Sequence, residues 1–325
     1  MSSRARVLLL FVAALVLPTG AACSSGCGFG CFVERARLAY PDKWRAYCEH
    51  MASLGMNTFA FYPTSDTDLV EQMDVAVEAG LVQPDVPVVL VSNLKPAPSV
   101  VGNEAEWADL PRRVATARAM ASHGDRWPEV LLYGTDEPAK AEQCTAWSAS
   151  YRAGGAKAIT AICTPNVPDF LPYLDAILIH ASPGVLTAEN VAATRAAGVQ
   201  FGVYNIGLSR RGSPELARYW TGMWTWQAGC TLNLLWEYKG LIEDVPDGPK
   251  GKPICEGYRQ GVADYQLLTA LDSVRAQRID WDFWPGITGR FGPQVAAEWK
   301  ADWISYAGKC RVVNPVAEAV AVRGR

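Results

Sequence analysis

Short apolar runs recur along this chain, each followed by a longer stretch whose apolar positions return at helical spacing. Runs at residues 29–33, 57–62, 87–91, 129–133, 158–163, 176–180, 200–205 and 230–237 read as strands. Residues 42–54, 66–79, 103–122, 138–153, 187–197, 213–227 and 256–278 read as helices, with a shorter one near Asp169. Gly55, Gly80, Gly198 and the pair Gly154 and Gly155 stop four of them, as glycine does at helix C-termini, while Pro111 interrupts the stretch at 103–122. Strand and helix alternate throughout, which predicts a parallel sheet with crossover helices. Eight such units in 325 residues predict an α/β fold of the (β/α)8 TIM-barrel type. An open doubly wound sheet is the runner-up. It would carry a glycine-rich phosphate turn after an early strand, and the sequence has none.

The two ends of the chain depart from this rhythm. Arg4 and Arg6 precede an apolar run over residues 7–17, then Pro18 and the small residues Gly20, Ala21 and Ala22. That layout predicts a secretory signal over residues 1–22, too short to span a bilayer comfortably. Cleavage after Ala22 would leave Cys23 first, as in a bacterial lipoprotein, with membrane attachment through a lipidated Cys23. Gly20 stands where such signals prefer Leu, so free secretion remains open beside anchoring. Residues 23–325 are read as a single barrel domain with a C-terminal helical extension, in which Trp299 and Trp303 lie at i, i+4 spacing. Residues 244–252 read as a polar loop on the active face or a flexible excursion after the eighth strand.

Composition narrows the function. Half the chain is apolar, and the net charge is −3 with no long run of one sign. Nucleic acid is therefore excluded as a partner. Twelve Trp and twelve Tyr exceed what a core needs. The surplus suits carbohydrate, whose C–H faces lie well on aromatic rings. Trp220, Trp224 and Trp226, on one predicted helix, are assigned to the core. Of nine Cys, eight would remain after lipidation of Cys23, an even number for an oxidising compartment. Cys23, Cys27 and Cys31 are evenly spaced, but no His lies near and no CxxC occurs, so neither a metal nor a cofactor is implied. Cys163 and Cys230 lie in apolar runs and read as buried thiols.

The candidate chemistry is concentrated at Asp136 and Glu137, which follow the strand at 129–133 and precede Pro138. In a (β/α)8 barrel, that junction is the catalytic face. Strand neighbours point to opposite faces, so one of the two carboxylates must sit on a bend. Pro138 suits a first helical turn and pushes Glu137 out of helical dihedrals, which predicts an extended Glu137 at a helix start. A plain helix cap would use the same residues. Ends of the other strands supply further candidates: Tyr62, Asn93 beside Ser92, Tyr133, Asn166, His180, Tyr204, Asn205, Trp236, Glu237 and Tyr238.

Three segments resemble the catalytic domain of glycoside hydrolase family 123, the β-N-acetylgalactosaminidases, and its uncharacterised relatives. The first is Leu132-Tyr133-Gly134-Thr135-Asp136-Glu137-Pro138. The second runs from Tyr219-Trp220 through Trp226-Gln227-Ala228-Gly229-Cys230 to Leu234-Leu235-Trp236-Glu237-Tyr238. The third is Cys255-Glu256-Gly257-Tyr258-Arg259-Gln260-Gly261-Val262-Ala263-Asp264-Tyr265-Gln266-Leu267-Leu268, in which Ala263 replaces the acidic residue relatives tend to carry. The resemblance implies substrate-assisted hydrolysis of a β-linked 2-acetamido sugar within a glycan or glycoconjugate. Asp136 would orient the acetamido group, and Glu137 would protonate the leaving oxygen and then activate water. Tyr204 or Tyr238 would donate to the acetamido oxygen, with Trp236 as the apolar wall. Two rivals stand beside it. One is a retaining glycosidase with Glu137 as acid/base and Glu237 as nucleophile. The other is a non-catalytic, surface-anchored carbohydrate-binding barrel.

Overall fold

The computed structural model describes residues 26–91, 104–205, 208 and 212–270. The leader, Cys23, Asn93, Ser92, Cys310 and the C-terminal tryptophans lie outside them. Eight parallel strands close into a barrel in sequence order. They are β1 (Gly28–Val33), β2 (Ala60–Phe61), β3 (Val88–Val91), β4 (Val130–Tyr133), β5 (Lys157–Ile162), β6 (Ala176–His180), β7 (Gln200–Asn205) and β8 (Leu232–Leu235). Closure comes from β1, which pairs with β2 on one side and β8 on the other.

The period-two alternation of strand side chains divides the apolar residues into two cores. Phe32, Val89, Leu131, Tyr133, Ile159, Ala161, Leu178, Tyr204, Leu232 and Leu234 fill the lumen. Their neighbours Val33, Phe61, Leu90, Leu132, Ile162, Ile179, Val203 and Leu235 pack outward against helices. Those helices are α1 (Trp44–Ser53), α2 (Asp66–Glu78), α3 (Glu104–Met120), α4 (Thr145–Ala153), α5 (Val167–Phe170), α6 (Ala188–Ala196), α7 (Pro214–Tyr219), α8 (Thr225–Ala228) and α9 (Ile254–Ala270). Side-chain oxygens of Ser65, Thr187 and Ser213 accept backbone N–H groups and start α2, α6 and α7. None of the described helices is long and apolar enough to cross a membrane.

Several predicted boundaries move. Pro111 sits inside an unbroken α3, and its ring packs onto Gly154. The stretch predicted as one helix over 213–227 is α7, a π-helical turn at Trp220–Trp224 and then α8. Trp220, Trp224 and Trp226 are buried there, the first two stacked 4.0 Å apart. Residues 244–252 are not a flexible loop. Strands β9 (Ile242–Val245) and β10 (Gly248–Gly251) pair as a hairpin, and Asp244 accepts hydrogen bonds from the Ala39 amide and the Tyr47 hydroxyl. The seven described cysteines are all free thiols; where β1 meets β8, Cys27 Sγ donates to the Gly28 carbonyl and Cys230 Sγ to the Leu232 carbonyl.

Helix α9 contains the third family-like segment and closes the barrel from outside. Asp264 receives both Nε and Nη2 of Arg218, at 2.6 and 2.9 Å. The Tyr265 hydroxyl accepts the Cys27 amide. Gly257 lets α9 meet α7, because a Cβ there would lie 1.8 Å from the Pro214 carbonyl oxygen. That obstacle is backbone and cannot rotate away. Gly257→Ala is therefore expected to cost about 1–3 kcal/mol of stability, read as a lower urea midpoint; an unchanged midpoint would refute this account of the contact.

Candidate active site

Asp136 and Glu137 leave the C-terminal end of β4 on a bend, the barrel end at which catalytic residues of this fold gather. Three contacts shape the bend. The Thr160 hydroxyl donates to the Thr135 carbonyl. The Tyr133 hydroxyl donates to Asp136 Oδ1 at 2.6 Å, while itself accepting the Ala161 amide at 3.2 Å. Gly134 lies flat on the Trp147 ring, where a Cβ would come within 2.3 Å.

Glu137 is not extended. Its φ is +45°, in the left-handed region, at a cost of about 1–2 kcal/mol for a residue with a Cβ. Nor does Pro138 begin a helix: a 3-10 turn starts at Ala141 and α4 at Thr145. The reason lies across the mouth. With Thr135 and Asp136 held by side chains beneath them, only a turn at Glu137 brings its carboxylate to Tyr204, whose hydroxyl donates to Glu137 Oε1. Backbone strain held by surrounding contacts is characteristic of working sites.

Inward parity at the strand ends builds the rest of the mouth. Tyr62, Cys163 and Trp236 border the lumen core. The Phe32 ring lies beneath them, 5.1 Å from Trp236 and 6.3 Å from Tyr204. His180 tilts against Tyr204 at 4.7 Å, with Nδ1 2.9 Å from Ser182 Oγ. Glu237 follows β8 and is half-buried. Its charge reaches Tyr62, as does that of Asp136.

The electrostatics are dominated by desolvation at a crowded acidic rim. Asp136 is held above the usual carboxylate range by burial of its charge, opposed by the Tyr133 hydrogen bond and aided by the Glu137 charge. Burial pushes His180 down, against the pull of Glu137, so its imidazole is biased towards the neutral form. Tyr133 and Tyr204 are pushed up, first by burial and then by their carboxylate and thiol neighbours. Both therefore remain hydroxyl donors near neutrality.

Two of the predicted site residues go elsewhere. Asn205 faces outward on β7, fully buried, and its Oδ1 accepts the Leu208 amide. Tyr238 turns into the helix layer, where its hydroxyl meets His50 Nδ1 at 2.8 Å and its ring meets Tyr47. It cannot donate to a ligand in the lumen mouth. Asn166 stays at the catalytic end of the barrel, exposed in the loop between β5 and α5, its carbonyl accepting the Asp169 amide. Tyr133 is at the site but 4% exposed, beneath Asp136 rather than facing a ligand. Cys163, read from the sequence as a buried thiol, is only partly buried in the mouth, with Sγ 2.7 Å from the Tyr204 hydroxyl. Its parity with Ile159 and Ala161 was the available signal.

A cleft of about 870 Å³ opens at the opposite, N-terminal end of the barrel, lined by Arg152, Lys157, Asp175, Arg195 and Phe201 among others. Its cations already have partners: Arg152 binds Asp175, Lys157 binds Glu129, and Arg195 binds the Ala228 carbonyl. Groups so engaged at that end of the fold serve stability. Among the described residues no cluster of side chains is arranged to hold a metal ion.

No protein-family model matches the chain, and no curated protein matches it. Among solved structures, it is similar to ScGas2 in complex with compound 9, with TM-score 0.51 and 13% identity over 90% of this chain and 82% of that one. It is also similar to an endo-α-mannosidase from Bacteriodes thetaiotaomicron, with TM-score 0.49 and 8% identity over 75% and 98%. The α subunit of tryptophan synthase from Legionella pneumophila str. Paris gives TM-score 0.47 and 12% identity over 81% and 99%. Likeness at such identity shows the barrel fold alone.

Proposed function

We propose that this protein is an exported glycoside hydrolase acting on β-linked N-acetylhexosaminides, N-acetylgalactosaminides first among them. The observation that carries the reading is the pair at the barrel mouth: Asp136 held by Tyr133 and Glu137 held by Tyr204. Asp136 binds the acetamido N–H and stabilises the positive charge that develops as the acetamido oxygen attacks the anomeric carbon. Glu137 gives its proton to the leaving oxygen and later takes one from the incoming water. Trp236 and Phe32 form an apolar floor for the acetyl methyl and the sugar ring. His180 is placed to contact a sugar hydroxyl. The sugar class comes from the family resemblance, and export from the leader-like residues 1–22. Lipid attachment at Cys23 belongs to the same proposal.

The test is a panel of aryl glycosides: β-linked N-acetylgalactosaminide, N-acetylglucosaminide, galactoside and glucoside. The expected result is release of aryl alcohol from the 2-acetamido substrates only. No hydrolysis of any member would favour a non-catalytic sugar-binding barrel, and binding insensitive to Asp136→Asn would strengthen that case. One observation keeps a second reading in view. Glu237 shares the rim with Asp136, both acting on the Tyr62 hydroxyl. Efficient cleavage of the 2-hydroxyl substrates would move the nucleophile's role to Glu237 and the reaction to the ordinary two-carboxylate route.

A further inference from the structure

Tyr204 has one hydroxyl hydrogen and two neighbours competing for it. Glu137 Oε1 accepts it on one side. On the other, Cys163 Sγ lies 2.7 Å from the same oxygen. Glu137 Oε1 takes the one hydroxyl hydrogen of Tyr204, so the thiol must be the donor in the second contact. The three groups come from the C-terminal ends of β4, β5 and β7 and form one directed chain, from thiol to phenol to carboxyl. We propose that Cys163 is a positioning residue of this site: its S–H donates to the Tyr204 oxygen and so turns the Tyr204 hydroxyl hydrogen onto Glu137.

The surroundings support this role over the other uses of a cysteine. Cys163 is the only described cysteine that is not buried, and it stands at the lumen face of β5. Burial first, and then the neighbouring Glu137, push its thiol up to about 12, against a smaller pull from Tyr204. It therefore keeps its hydrogen at neutral pH. Since the thiolate is the nucleophile and the metal ligand, such a thiol is poorly suited to covalent catalysis or metal binding and well suited to donation. His180 packs against the Tyr204 ring at 4.7 Å and limits its swing. The remaining freedom is rotation about the phenol C–O bond, which the thiol removes. Glu137 Oε1 is then occupied from Tyr204, leaving Oε2 for the leaving oxygen. The chain of hydrogen bonds stands by itself; its catalytic meaning rests on the hydrolase reading above.

Two measurements separate those parts. The S–H stretch absorbs in an otherwise clear infrared window, and wild type minus Cys163→Ala isolates the Cys163 band. Tyr204→Phe, which keeps the ring and removes the acceptor, is expected to shift that band to higher frequency. A band that stays in place overturns the proposed donor–acceptor chain, whether or not any glycoside is cleaved. In kinetics on an aryl 2-acetamido glycoside, Cys163→Ala should lower kcat about three- to tenfold with KM nearly constant, and Cys163→Ser should restore most of it. Wild-type kcat in Cys163→Ala overturns the positioning role. A wild-type protein inert on every glycoside counts against the hydrolase reading instead, and the infrared result still decides the chain.

Discussion

On the role proposed for Glu137, Glu137→Gln is expected to lower turnover of an aryl β-N-acetylhexosaminide by roughly two to four orders of magnitude, the span seen when a general acid/base is lost. Glutamine keeps the volume, and its amide oxygen still accepts from Tyr204, so the left-handed bend at Glu137 is retained. What disappears is the transferable proton. The loss should therefore fall on kcat, with KM changing little. It should also depend on the leaving group. An activated aryl alcohol needs little protonation and loses least, whereas an alkyl or sugar leaving group loses most. Near wild-type turnover on a poorly activated substrate would remove Glu137 from the acid role and leave it as the turn residue that its φ of +45° makes it. External azide offers a further check. Once the acetamido group has expelled an activated leaving group, a small anion can attack without base assistance and rescue the variant.

The barrel was legible because its two periods are clean. Val130–Tyr133, Ala176–His180 and Gln200–Asn205 are apolar runs bounded by turn residues, and helix-stopping glycines separate the units. Strand β2 is shorter than its apolar run suggests, because only Ala60 and Phe61 pair on both sides. The site was legible as far as parity along a strand reaches. Tyr62, His180, Tyr204 and Trp236 each continue the inward set of their strand and arrive at the mouth. Adjacent residues cannot share a face, which is why naming both Tyr204 and Asn205 had to fail for one of them. Trp236 and Tyr238 have the same parity in sequence, but the chain leaves β8 at Leu235 and a 3-10 turn begins at Tyr238, so the count no longer applies.

What the sequence could not yield was set by contacts between distant segments. The left-handed Glu137 answers to Tyr204, 67 residues away, and no local rule about Pro138 contains that information. The order of residues 244–252 depends on Asp244 meeting Ala39 and Tyr47 from the other end of the chain. Asp264, part of a family-like segment, serves Arg218 in the helix layer rather than the mouth. A segment singled out by resemblance thus includes residues that hold the scaffold, and only the fold separates them from those at the mouth.

Asp136→Asn is expected to abolish most activity, by roughly two to three orders of magnitude, while leaving the protein at least as stable at neutral pH. The first half follows from the proposed role. A neutral amide cannot offset the positive charge that gathers on the acetamido group as it closes on the anomeric carbon. The second half follows from linkage. Burial holds the folded Asp136 carboxyl above its ordinary range, so the folded state favours the protonated form more than the unfolded chain does. The stability linked to that proton is present in full below the unfolded pKa and is lost as pH rises through the folded one. At neutral pH the wild type has lost it; an amide carries no such charge, and its oxygen still accepts from Tyr133. Melting temperatures should favour Asp136→Asn at neutral pH, and the difference should shrink on acidification. A variant that is inactive and also markedly less stable at neutral pH would make Asp136 a structural anchor rather than a strained functional charge. Tyr133→Phe probes the same carboxylate from the other direction. The Tyr133 hydroxyl pulls Asp136 down, so its removal lets the carboxyl rise further. If catalysis needs the Asp136 anion, the acid limb of the kcat profile must then move to higher pH; a limb that stays in place would show that Asp136 is not the group whose ionisation switches the enzyme on.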